Sequence, residues 1–140
     1  MPLWILYALL SAVFAALVAI FGKIGISGID STLATSVRAI VMSVFLVSVS
    51  LVLGKWQFLN QINSKALLFI VLSGIAGAVS WIFYFISLSK GPASGVAALD
   101  RTSVIFVLIF SVLFLSEHLT LKTGIGAIFI AIGAILMTLR

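Results

Sequence analysis

From Leu3 to Gly22 the 140-residue chain carries no charged side chain, and four more apolar runs of similar length follow. About 20 consecutive apolar residues make a helix long enough to cross the ~30 Å hydrocarbon core of a bilayer. Backbone N–H and C=O groups find no water there, so only helices and closed barrels can span it. The runs show no alternation of period two and far exceed the ~9–11 residues that a membrane strand needs. The expected fold class is therefore an all-α membrane protein with five transmembrane helices in one domain over residues 1–140. The spans fall at about 3–22, 32–53, 66–89, 93–115 and 119–139. A signal peptide competes for the first run, but it lacks a basic n-region and more spans follow, so it reads as a first span.

Charges mark where the runs end. Lys23 closes the first run, and a turn with Gly25, Gly28 and Asp30 leads to the second. Gly54 to Lys65 forms an amphipathic surface connection with an interfacial aromatic, Trp56. Lys90-Gly91-Pro92 stops the third run, because Gly and Pro end one helix and Pro suits the first turn of the next. Ser116-Glu117-His118 ends the fourth; the fifth has Lys122 near its start and closes on Arg140.

The whole chain is 64% hydrophobic and 8% charged, against about 25% charged in a soluble domain. Its net charge of +5 comes from eight Lys and Arg scattered singly between apolar runs, which form no nucleic-acid patch. There is no cysteine, one histidine and three acids, too little for a metal cluster or a catalytic triad. Neither an enzyme nor a cofactor is expected.

Asp100-Arg101 interrupts the fourth run. Each charge at the centre of a span costs ~2.5–3.5 kcal/mol, and each Leu, Ile, Phe or Val returns ~0.3–0.6. Thirteen such residues lie between Ala93 and Leu115, so the gain of roughly 6 kcal/mol about equals the charge penalty. That helix inserts near break-even and needs partners for its charges. On a helical wheel Asp100 shares a stripe with Ala97, Val104 and Ser111, while Arg101 points about 100° away.

Five spans bring a polar set toward the face opposite the N-terminus: Lys23, Arg38, Trp81, Tyr84, Asp100 and Arg101. Trp81, Tyr84 and Leu88 share one face at i, i+3, i+7. Ionisable groups inside a span are a functional-site hypothesis, and these six are the candidate substrate-binding or coupling residues. Structural readings stand beside that one. Arg38 can snorkel to headgroups, Asp100 can serve as a counter-ion to Arg38 or Arg101, and Trp81 and Tyr84 can belong to an interfacial belt.

Small residues stack at helical spacing: Ala8, Ala12 and Ala16, with Ala15 and Ala19, in span one; Gly74 and Ala78 in span three; Ala127 and Ala131 in span five. Such stripes let helices approach closely in lipid. Span five fits either internal packing or contact with another subunit. With five spans, Lys55, Lys65 and Lys122 fall on the side of the N-terminus, and Lys23, Lys90 and Arg140 on the other. Three against three gives no positive-inside bias. A chain without bias can insert both ways, and two opposed copies reproduce an inverted-repeat arrangement. If Arg38 counts as a loop charge, it tips the orientation instead.

Three stretches carry a family resemblance. Ser73-Gly-Ile-Ala-Gly-Ala-Val-Ser-Trp-Ile-Phe-Tyr-Phe, Gly91-Pro-Ala-Ser-Gly-Val and Leu99-Asp-Arg-Thr-Ser-Val resemble the five-span, half-size EamA-type transporters of the drug/metabolite transporter superfamily. Phe21-Gly-Lys-Ile-Gly-Ile, Ala34-Thr-Ser-Val-Arg and Leu113-Phe-Leu-Ser-Glu-His-Leu-Thr agree with that family's other motifs. Two positions depart. Ala98 replaces a frequent proline, which predicts a less broken helix at the site, and Ser116 replaces the usual glycine before Glu117. The resemblance implies one half of an inverted-repeat transporter: a secondary transporter, exporter or exchanger, of small metabolites across the bacterial inner membrane. It would work by alternating access as an antiparallel homodimer. Embedded basic residues outnumber the acid, which favours anionic or zwitterionic substrates, and Asp100 is the acid available for proton coupling. A lipid-linked sugar flippase and a non-transporting membrane accessory subunit are the alternative readings.

Overall fold

The computed structural model describes residues 2–139. Its helices are α1 (Leu3–Gly25), α2 (Ser31–Val52), a 3₁₀ helix (Lys55–Gln61), α3 (Ser64–Lys90), α4 (Ala93–Asp100), α5 (Ser103–Leu115) and α6 (Leu121–Leu136). The closing Arg140 lies outside the described residues. Leu3–Gly25, Ser31–Val52, Ser64–Lys90 and the α4–α5 segment Ala93–Leu115 are each long and apolar enough to cross a membrane. The last apolar helix is shorter than the sequence suggests: Leu121–Leu136 has 16 residues, about 24 Å at ~1.5 Å per residue, where 119–139 was expected. Its C-terminal turn is drawn in by the Thr138 hydroxyl, which donates to the Ile135 carbonyl at 2.7 Å.

Two compact units make up the chain, one formed by residues up to Ile24 and from Lys90 on, the other by Gly25–Ser89. Local chemistry sets the boundaries of each helix. Gly28 turns the chain at φ 76°, and Asp30 then caps α2 by accepting the Leu33 N–H at 2.8 Å. After α2, Gly54 adopts φ 62°, and the 3₁₀ helix folds back so that the Trp56 indole N–H donates to Ser50 Oγ at 2.8 Å. Asn63 accepts the Ala66 N–H at 2.8 Å and opens α3. At the other end of the chain Thr120 caps α6 by accepting the Thr123 N–H at 3.2 Å.

In the first unit α6 packs on α4 and α5. Ala127 and Ala134 are buried and Ala131 half-buried, so the small-residue stripe of α6 serves packing inside the chain. In α1 it is the Ala15–Ala19 stripe that turns inward, while Ala8, Ala12 and Ala16 stay exposed. Gly95 of α4 lies where a Cβ would sit 3.4 Å from Pro92 Cγ and 3.8 Å from the Met137 carbonyl, which permits the close approach to the end of α6.

The fourth span does not run as one uniform α-helix: α4 and α5 are separated at residues 101–102, where the backbone stays in the right-handed helical region. Between α4 and α5 the hydrogen bonds tighten to i→i−3, from Arg101 N–H to the Ala98 carbonyl, Thr102 to Leu99, Val104 to Arg101 and Ile105 to Thr102. At the same place the Thr102 hydroxyl donates to the Leu99 carbonyl at 2.6 Å, a bond that can compete with the helical ladder. One uniform wheel therefore does not describe the segment, and Asp100 and Ser111, expected on one stripe, separate into an exposed and a buried residue. Next, α5 ends on Ser116 in the left-handed region at φ 55°, with the Glu117 N–H reaching back to the Ser111 carbonyl at 3.3 Å. Side chains such as Phe14, Phe45 and Phe69 point outward along their helices. Lipid is the solvent that such a surface requires.

Candidate functional site

Arg38 sits seven residues into α2, about 10 Å from its start by helical rise. Its guanidinium carbon lies 3.6 Å from the centroid of the Trp81 ring and 5.5 Å from that of Phe85. A cation over a ring face within about 6 Å is held by the ring quadrupole, more strongly where water is excluded. Trp81 is held in turn by neighbours on α3. Tyr84 meets it edge-on at 5.4 Å, and Phe85 lies 5.9 Å from it and 6.2 Å from Tyr84. Residues i, i+3 and i+4 on one helix meet in this way. Arg38 is thus stacked on α3 within its own unit.

Beside this stack lies a cavity of about 760 Å³ between α2 and α3. Thr35, Ser36 and Arg38 line it on α2 near the stack, with Met42, Leu46 and Val47 further along. Gly74, Gly77 and Ala78 form its α3 side, so the absence of bulk at these positions makes the space. The Thr35 and Ser36 hydroxyls donate to the Ser31 and Thr32 carbonyls, at 2.7 and 3.0 Å. Their protons are spent on the helix. Arg38, Trp81 and Ser43 remain as the lining side chains with a hydrogen to donate.

The other candidates lie in the first unit. The Lys23 ammonium donates to the Gly91 carbonyl at 2.9 Å, tying the end of α1 to the turn before α4. Asp100 is the last residue of α4 and Arg101 its cap, and both are exposed at the helix break. Asp100 lies seven residues past Ala93, about 10 Å along the helix.

Of the six candidate residues, the structure brings Arg38, Trp81 and Tyr84 together and sets Asp100 beside Arg101 at a break. Sequence reasoning missed Phe85, which is 3% exposed, and the cavity-lining Thr35, Ser43 and Gly77. A signal for Phe85 was present, since it stands four residues after Trp81 on the same face.

Apolar helices long enough to cross a bilayer, an arginine seated within one of them and a solute-sized cavity beside it describe a multi-pass membrane protein with a cavity at membrane depth. The chain matches the EamA-like transporter family over residues 2–139 and belongs to it. It is a membrane transporter. An uncharacterized transporter encoded in the cobO 3′ region of a Sinorhizobium species is 44% identical over 134 residues, covering 96% of this chain and 95% of that protein. An uncharacterized protein of Methanocaldococcus jannaschii is 30% identical over 89 residues, covering 64% of this chain and 65% of its own. No solved structure matches.

Proposed function

We propose that this transporter is a secondary transporter of small anionic or zwitterionic metabolites in the bacterial inner membrane. The observation that carries the substrate charge is the Arg38 guanidinium, stacked 3.6 Å over Trp81 beside a cavity of about 760 Å³. A guanidinium held in apolar surroundings attracts an anion far more strongly than one in water, because the local dielectric is low. Its fork of donors suits carboxylate or phosphate.

Five crossings per chain, with α6 as the fifth, and two opposed copies per transporter complete the proposal. The even distribution of basic residues outside the span interiors, Lys55, Lys65 and Lys122 against Lys23, Lys90 and Arg140, supports the opposed arrangement. So do the exposed Asp100 and Arg101, which at their depth require a polar cavity or a second copy to cover them. Asp100 is the coupling carboxylate, and it pairs with Arg38 or Lys23 in one state of an alternating-access cycle.

Uptake by purified protein in liposomes, measured across a panel of carboxylates, phosphates, zwitterions and lipophilic cations, tests the charge assignment. The anions or zwitterions are expected to enter saturably, with Arg38→Gln lowering their kcat/KM by at least tenfold. Equal uptake by wild type and Arg38→Gln would remove Arg38 from the site, and uptake of cations alone would reverse the assignment.

A further inference from the structure

The α2–α3 cavity has a strong polarity along its length. Arg38 and Trp81 stand together at one end, two of the three lining hydroxyls are committed to helix carbonyls, and Met42, Leu46 and Val47 continue the wall for about 13 Å beyond Arg38. A solute bearing many hydroxyls would find one donor cluster and then an apolar wall. Each of its groups left without a partner would weaken binding by about tenfold. A molecule with one anionic group and an apolar body meets a partner at both ends.

The walls also indicate where that body comes from. Met42, Leu46 and Val47 are exposed on the surface of a membrane span, so the apolar end of the groove opens toward hydrocarbon. A chain already dissolved in a leaflet gains and loses little by lying along such a wall, whereas a chain arriving from water would first partition into the bilayer. The cation at the end of the groove then decides which amphiphile stays.

We propose that the α2–α3 groove binds an anionic amphiphile taken from the bilayer, its single phosphate or carboxylate head on Arg38 and Trp81 and its apolar chain along Met42, Leu46 and Val47. This rests on the transport reading above and names the substrate class of the same site. A groove running from Arg38 to Val47 takes a chain on the order of ten carbons. The head would lie about 10 Å below the start of α2, roughly a third of the way through the hydrocarbon, so occupancy is a step in moving the head across.

The test uses the full chain in phosphatidylcholine nanodiscs, with Trp4→Phe and Trp56→Phe leaving Trp81 as the single fluorophore. Dodecyl phosphate carrying bromine near its head is the probe, and quenching of Trp81 is the readout. Quenching is expected to saturate and unlabelled dodecyl phosphate to reverse it, while inorganic phosphate at a hundredfold higher concentration leaves it unchanged. Arg38→Gln is expected to raise the Kd at least tenfold for the phosphate and to leave the weak quenching by brominated dodecanol unaltered. Gly77→Leu fills the groove from a position where a Cβ meets nothing within 4 Å, and saturable quenching is expected to vanish while the variant's far-UV circular dichroism stays that of the wild type.

Displacement by inorganic phosphate as readily as by dodecyl phosphate would overturn the amphiphile and leave transport of small anions standing. Quenching that neither Arg38→Gln nor Gly77→Leu alters would overturn the groove as the binding site. Binding as stated with no flux of any anion in liposomes would instead remove the transport reading and leave the ligand class intact.

Discussion

Replacing Trp81 with leucine separates a structural arginine–aromatic stack from two residues that merely lie close. An arginine at the centre of a span costs ~2.5–3.5 kcal/mol on the insertion scale. A cation–π contact in a desolvated setting contributes about 2 kcal/mol, and the guanidinium carbon here is 3.6 Å from the Trp81 centroid. Trp81 therefore offsets much of the cost of Arg38. Trp81→Leu keeps an apolar side chain and removes the ring face, so in the wild-type background the loss combines packing with the stranded cation. In an Arg38→Met background only packing is lost. The coupling between the two substitutions is predicted at about 2 kcal/mol, roughly a 30-fold effect on the unfolding equilibrium. Reversible unfolding of the four variants in mixed lipid–SDS micelles measures it. Additivity within about 0.5 kcal/mol would refute the stack as an energetic unit. Trp81→Phe, which keeps a weaker ring face, should lie between.

Ser116→Gly should stabilise the protein by about 0.5–1 kcal/mol, because an L residue in the left-handed region is strained and Ser116 has φ 55°; the same unfolding assay reads it. Thr102→Val removes the hydroxyl that bonds the Leu99 carbonyl and should slow amide exchange over residues 103–105 as the i→i−4 ladder recovers. Unchanged exchange there would assign the break to another cause. Three lysines added after the last residue should force one orientation, lower uptake at least severalfold and be rescued by co-expressing an oppositely biased variant. Full uptake by a single-orientation population would refute the opposed pair.

Hydropathy made the helical class legible, because runs such as Leu3–Gly22 are too long for strands and too apolar for water. Charge and depth also singled out Arg38, since an arginine inside a span calls for a partner. What periodicity could not supply is the partner's identity: the contact with Trp81 joins residues 43 positions apart, and no local pattern encodes it. Phe85 was overlooked for a different reason: its i+4 spacing from Trp81 marks it as a neighbour of that ring, but aromatics are common in apolar helices and the spacing alone does not single it out. The interruption after Asp100 could not be placed from composition: alanine in place of proline at position 98 suits a less broken helix, and the shortening of the hydrogen bonds around Arg101 and Thr102 shows only in the backbone. Lys23 was legible as a charge at a helix end, and its bond to the Gly91 carbonyl depends on the tertiary fold.

Secondary transport through Asp100 is tested most directly by comparing concentrative uptake with exchange in liposomes for wild type and Asp100→Asn. Wild type should accumulate an anionic substrate when a proton gradient is imposed and should also exchange labelled for unlabelled substrate without one. Asp100→Asn, unable to gain and lose a proton, should retain exchange and lose accumulation. Accumulation at the wild-type rate by Asp100→Asn would contradict the account and leave Asp100 as a counter-ion in the membrane.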